Sequence, residues 1–217
     1  MNYATLVASK ATLGSIANWV NWSDAKLPVE EILRSAQSFI YDNMRVTDMK
    51  EIRTVSLAQD AASVARPGDL LSIIDLQDQY MQPISSVDLK SLVNRRVKDA
   101  AGDITRSSIP FAYALTKSTI EFDFAAAQDI DLTLTGYFRA AWLGSGTGGT
   151  VATNFLTDTY PHVLRPACLM FAADFLNDDA KYQRYATQFA AMLGQAMQSE
   201  EMNQMGMQVD VTYREQL

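Results

Sequence analysis

The hydrophobic period of this chain changes twice, and that change limits the available folds more than any motif does. Near the start Leu6, Leu13, Ile16, Ala17 and Val20 recur at helical spacing, with Gly14 as a weak point in the run. Pro28 reads as the first helical position of a second helix, and Val29, Ile32, Leu33, Ala36, Phe39, Ile40 and Met44 give it an apolar stripe. From about Glu51 to Leu143 the period moves toward two. Leu70, Leu71, Ile73, Ile74 and Leu76 follow the turn signal Pro67-Gly68. Phe111, Tyr113 and Leu115 share one face, as do Ile120, Phe122 and Phe124, with Thr116 to Thr119 as a hairpin loop between them. Ile130, Leu132 and Leu134 alternate with Asp131, Thr133 and Thr135, the clearest half-buried strand in the chain. Ser86 to Asn94 reads as one short helix within this stretch.

Beyond the glycine-rich segment the helical period returns. Leu164, Cys168, Phe171 and Phe175 step by helical intervals, and Tyr182, Tyr185, Phe189, Met192 and Leu193 continue the habit in a further helix. Thr159 and Pro161 mark a start, while Asn177, Asp178 and Asp179 can end one helix and cap the next. Pro166 falls inside the first of the pair, where a missing N–H and a ring clash cost roughly 3 kcal/mol. The order predicts an α+β fold. Residues 1–50 and 150–206 would form one discontinuous helical body, and 51–149 a β-rich insertion. Residues 207–217 would form an extended C-terminal arm, because Gln208 to Tyr213 alternate as an edge strand does.

Composition narrows the function classes. The chain has 217 residues, 48% of them hydrophobic, enough for a sizeable core. No apolar run approaches the roughly 20 residues of a membrane crossing, and no basic leader opens the chain, so a cytoplasmic origin without a membrane is expected. A net charge of −7 opposes a grip on nucleic acid, which needs clustered Lys and Arg. Arg95, Arg96 and Lys98 are the one tight basic group and read as a solvated helix end.

The inventory for chemistry is thin. One cysteine, Cys168, lies on an apolar helical stripe and reads as inert burial. One histidine, His162, stands beside Pro161 with no nucleophile or acid in a recognisable set, so it reads as a first-turn or interface residue. Asp174, Asp178 and Asp179 lack the alternating oxygen ligands of a calcium loop and read as capping residues. Trp19, Trp22 and Trp142 read as core or interface anchors. Asn21-Trp22-Ser23 matches a glycosylation sequon by accident, given the absence of a leader. Gly144, Gly146, Gly148 and Gly149 formally satisfy a dinucleotide-binding spacing. No βαβ unit surrounds them and no Lys-Ser/Thr follows, so a flexible loop that contacts a neighbour is the stronger reading. No catalytic residue, metal or cofactor is expected.

Docking fits the C-terminus better. Met192, Met197, Met202, Met205 and Met207 are half of the ten methionines, and methionine adapts its shape to partners. Core filling with fraying explains them equally well. For the tail beyond Gly206 the alternatives are a disordered end and a docking strand, and Met205, Met207, Val209, Val211 and Tyr213 are the candidate contact residues.

Ordered motifs add a resemblance. They are Trp19-Val20-Asn21 with Asp24, Ile32 to Ala36, Met44-Arg45, and Arg66-Pro67-Gly68-Asp69-Leu70-Leu71. Pro110 to Tyr113 follow, and then the stretch from Asn154 to Asp179, NFLTDTYPHVLRPACLMFAADFLNDD. In this order they resemble the pattern of bacteriophage head-to-tail adaptors, also called head completion or connector proteins. Arg66-Pro67-Gly68 departs from a more typical Leu-Pro, Pro166 has no equivalent in the pattern, and Val87 to Arg106 has no counterpart. The resemblance implies a structural virion protein made in the host cytoplasm. It would form a homo-oligomeric ring, usually twelvefold, beneath the portal protein, and present a platform to a tail tube or nozzle protein. DNA would pass through the lumen without specific binding. The alternatives are another virion part, such as a tail tube or tail terminator subunit, and a nucleotide-binding enzyme using residues 144–149.

Overall fold

In a computed structural model, the described residues are 1–21, 27–98, 100–145 and 150–214, with side chains described as far as 202. The chain begins with α1 (Tyr3–Leu6), α2 (Ile16–Val20) and α3 (Val29–Asn43). Strands β1 (Lys50–Leu57), β2 (Ser63–Ala65), β3 (Leu70–Gln77) and β4 (Ser85–Ser86) precede α4 (Leu89–Arg95). Then come β5 (Arg106–Ser107), β6 (Ala112–Leu115), β7 (Thr119–Phe122), β8 (Ala125–Ala126) and β9 (Ile130–Phe138). The helices α5 (Phe155–Asp158), α6 (Pro161–Phe175) and α7 (Asp179–Arg214) follow. The class is α+β. Two compact units result, one from residues 1–48 and 140–217, the other from 49–139.

In the helical unit α3 buries Ile32, Leu33, Ala36 and Ile40, the face its spacing marks out. Buried Gln37 lies on that face too, held by its own hydrogen bonds. The N-terminal run is not one helix. α1 already stops at Leu6, Gly14 takes φ +90°, a left-handed value foreign to a right-handed helix, and Ser15 then caps α2 through the Asn18 N–H at 3.0 Å. Leu13, expected on the buried stripe, lies in the turns between the two helices and is 84% exposed. Trp22, Ser23 and Asp24, read as part of a connector and sequon, lie outside the described residues.

Asn154 opens α5 with a capping box, its side chain accepting from Leu156 N–H at 3.0 Å while Thr157 Oγ1 accepts from the Asn154 N–H at 2.9 Å. Pro161 occupies the first turn of α6, where no N–H is required. Pro166 remains inside the helix. There it cannot donate to the His162 carbonyl, one turn earlier. At the other end Asn177 adopts φ 52° and ends α6, and Asp178 Oδ1 accepts from Lys181 N–H at 3.1 Å, capping α7. Asp178 also pairs with Lys181 Nζ at 2.7 Å.

Residues 207–214 do not form an extended arm. They continue α7, which runs 36 residues to Arg214. Propagating an existing helix adds one hydrogen bond per residue, whereas a lone strand finds none.

In the β-rich unit β9 is central, antiparallel to β1 on one side and β3 on the other. Its Ile130, Leu132, Leu134 and Phe138 point into a core shared with Val55, Leu57, Tyr113, Ile120 and Phe122, so both larger sheets cover one interior. The second sheet runs β2-β7-β6-β4, with β4 parallel to β6, and β5 pairs β8. Gly136 is required where β3 bulges, because a Cβ there would stand 2.7 Å from the Ser72 carbonyl oxygen. The helix expected over Ser86 to Asn94 is α4, started by Asp88, and its Leu92 packs on Ala112 and Ala114.

Candidate functional site

Two places were expected to carry contacts: the glycine loop and the C-terminal end. Of the loop, Gly144 is described, and Gly146, Gly148 and Gly149 lie outside the described residues. Gly144 sits at the neck. Its N–H donates to Val151 O at 2.8 Å, and Val151 N–H donates to Trp142 O at 2.9 Å. A Cβ at Gly144 would lie 2.5 Å from Thr150 Cβ and Oγ1, so glycine is what lets the two stems close. Buried Gln37 pins one stem to α3 by accepting from Leu143 N–H at 2.9 Å. Beside the neck a cleft of about 390 Å³ is lined by Glu30, Glu31, Arg34 and Trp142, with Arg34 lying 5.8 Å over the Trp142 ring.

A dinucleotide site needs a parallel strand feeding a helix directly after the loop. Here the preceding strand β9 is antiparallel to its neighbours and ends at Phe138, and the next helix is the four-residue α5 beginning at Phe155.

At the C-terminal end Tyr160 Oη donates to Glu200 Oε1 at 2.7 Å, and Thr47 Oγ1 donates to Glu200 Oε2 at 2.6 Å. Burial, reinforced by Glu200, pushes the Tyr160 phenol well above its ordinary value. From Glu200 the helix continues to Arg214, about 21 Å of rise. Met205, Met207, Val209, Val211 and Tyr213 lie on that stretch. Their backbone is helical, and their side chains are outside the description. Met202, the last methionine with a described side chain, is 61% exposed.

The β-rich unit displays large apolar side chains that its core does not use. Ile52, Ile74, Tyr80, Met81 and Phe111 are exposed, with Phe111 stacked edge-on against Phe124 at 6.0 Å. On α4 and just beyond it, Leu89, Val93 and Val97 are exposed at four-residue intervals. Aromatic and methionine side chains left in water are typical of docking surfaces. The period-two pattern could not separate Phe111 from Tyr113 on the same strand face. One enters the core and the other does not.

Several motif residues prove to be structural. In Arg66-Pro67-Gly68-Asp69, Arg66 Nη2 donates to Leu70 O at 2.7 Å, and the Asp69 carboxylate accepts from Arg53 Nη1 and Nη2 at 3.0 and 2.8 Å. Those hydrogen bonds hold the Asp69 carboxyl below its ordinary value. Arg96 is not part of a solvated helix end. It donates to Phe122 O at 2.9 Å and to Glu121 Oε2 at 2.8 Å, because α4 packs on β6 and the neighbouring strand β7 carries both acceptors. Cys168 is fully buried, and burial pushes its thiol up to about 12. His162 is exposed on the first turn of α6, with its ring 5.9 Å from Tyr160.

These features define an α+β protein whose displayed side chains suit contact with other proteins. The family model of the SU10 adaptor protein matches residues 1–211, and the chain belongs to that family. It is accordingly a phage adaptor, a virion structural component that contacts other virion proteins. A search of curated proteins found no match.

Proposed function

We propose that the chain is the head-to-tail adaptor of its phage. Copies assemble as a ring, taken as twelvefold, on the portal protein, and the ring continues the DNA channel toward a tail tube or nozzle protein. The family match carries this reading, since it spans the helical unit and the β-rich unit alike. In it the end of α7, with Met205, Met207, Val209, Val211 and Tyr213, docks on the portal, and the glycine loop touches a neighbouring copy. The apolar side chains of the β-rich unit meet the tail protein. The net charge of −7 suits a conduit that DNA slides through without being held.

Electron microscopy of this chain mixed with the portal of its own phage tests the reading. A ring of subunits on one portal end is expected. Failure to associate at any salt concentration would remove the proposal, and rings or tubes formed without portal would favour a tail tube or terminator subunit. Deleting residues 207–217 should weaken docking while thermal unfolding stays unchanged, because these residues lie beyond the Glu200 anchor.

A further inference from the structure

In the helical unit two arginines converge on a groove that, among the described residues, holds no carboxylate to meet them. The groove, about 520 Å³, is lined by Trp19, Pro166, Leu169 and Met192 together with Arg165 and Arg184. Arg165 lies 5.1 Å over the Trp19 ring, and both guanidinium groups belong to exposed residues. Other cations of this unit are engaged: Lys181 pairs with Asp178 at 2.7 Å, Arg45 donates to the Tyr41 and Met44 carbonyls at 2.6 Å, and Arg34 covers Trp142. Among the described residues neither Arg165 nor Arg184 has an acidic partner. In a chain of net charge −7 this pairing of apolar walls with two unmatched cations specifies what fits: a small apolar residue next to carboxylates.

The same unit carries such a segment. Pro28 and Val29 are half-buried at the start of α3, and Glu30 and Glu31 follow them, exposed. Among the described residues Glu30 accepts only from Tyr3 Oη at 2.6 Å, a neutral donor, and Glu31 lines clefts on either side. We propose that the groove receives the Pro28–Glu31 segment of a second copy of this chain. Proline and valine occupy the space beside Trp19 and Pro166, and the two carboxylates meet Arg165 and Arg184. Groove and segment are different patches of one unit, so the contact is heterologous. Each copy gives one patch and receives the other, and a series of such contacts closes into a ring when the rotation permits. The inference rests on the ring reading for that closure alone. The contact itself is between two copies.

Sedimentation velocity of the purified full chain, from micromolar to several hundred micromolar at low and high salt, tests it. Wild type should self-associate, less so in high salt. R165E/R184E and E30R/E31R should each weaken association about tenfold or more, because like charges then face each other. An equimolar mixture of the two variants should recover it, since the exchanged charges again complement. R165Q/R184Q, which removes charge without reversing it, should fall between, and thermal unfolding confirms that each variant is folded. A wild type that stays monomeric throughout, variants that associate as wild type does, or a mixture that gains nothing would each overturn the contact. Co-sedimentation with portal is scored separately. Portal binding retained by R165E/R184E with self-association lost supports the contact between copies. Self-association retained with portal binding lost would assign the groove to an acidic portal segment and overturn the proposal.

Discussion

The hydroxyl of Tyr160, 7% exposed at the start of α6, donates to Glu200 on α7 at 2.7 Å, and Thr47 donates to the other oxygen of the same carboxylate. One side chain thereby ties three segments of the helical unit together. Beyond it the backbone of α7 stays helical to Arg214.

Y160F should lower stability by about 1.5 kcal/mol in urea unfolding, the scale of a hydrogen bond to a charged group. The contribution has a defined pH window. The folded phenol is raised above its ordinary value of 10.0, so the folded state keeps its proton where the unfolded chain loses it. Wild-type stability is therefore fully supported below about pH 10 and falls as pH rises further, and the gap to Y160F should narrow there. A gap that widens above pH 10 would contradict the assignment.

In the β-rich unit Arg96 and Glu121 are 17% and 21% exposed, a pair largely withdrawn from water. R96A leaves the Glu121 carboxylate and the Phe122 carbonyl short of a donor and should cost about 2 to 3 kcal/mol. Burial alone would raise the Glu121 carboxyl, but hydrogen bonds from Arg96 and Thr119, together with the Arg96 charge, hold it below its ordinary value. Its contribution is therefore present above about pH 4.5 and is lost as pH falls through the lower folded value. Acid titration of unfolding should show R96A converging on wild type. Parallel curves from pH 7 to pH 3 would count against it.

G144A places a methyl where Thr150 already stands, at 2.5 Å, and should destabilise the helical unit by about 2 kcal/mol. T150G removes the opposing Cβ, so G144A/T150G should regain part of the loss. A double-mutant cycle on thermal unfolding checks this, and simple additivity would show that the two residues do not meet.

Elements whose stability is written in local pattern were legible from the sequence. The alternation from Ile130 to Thr135 lies within β9, the stripe from Ile32 to Ile40 is the buried face of α3, and Asn177-Asp178-Asp179 is the joint between α6 and α7. Elements that depend on partners were not. β4, β5 and β8 are two residues each and exist only through pairing with β6 or with one another. The charge of Arg96 suggested solvent, but its neighbours are brought close by the packing of α4 on β6, which no short-range pattern encodes. The period-two run near the C-terminus misled for a related reason: without a strand beside it, the chain keeps the helix it has already begun. For the candidate sites, Gly144 was identifiable as a loop residue, while its fit against Thr150 was not. The groove of Trp19 and Arg165 left a weak trace, a lone arginine in the mostly apolar α6.

The burial of Cys168 reaches further than packing. A part of a phage particle is made inside a reducing cell and then persists in an oxidising medium, where accessible thiols cross-link or oxidise. The chain's one sulfhydryl is walled off and kept neutral, so its chemistry should be the same on both sides of lysis. It is also a silent background for labelling: a cysteine introduced on the surface of either unit would be the sole reactive thiol on each copy.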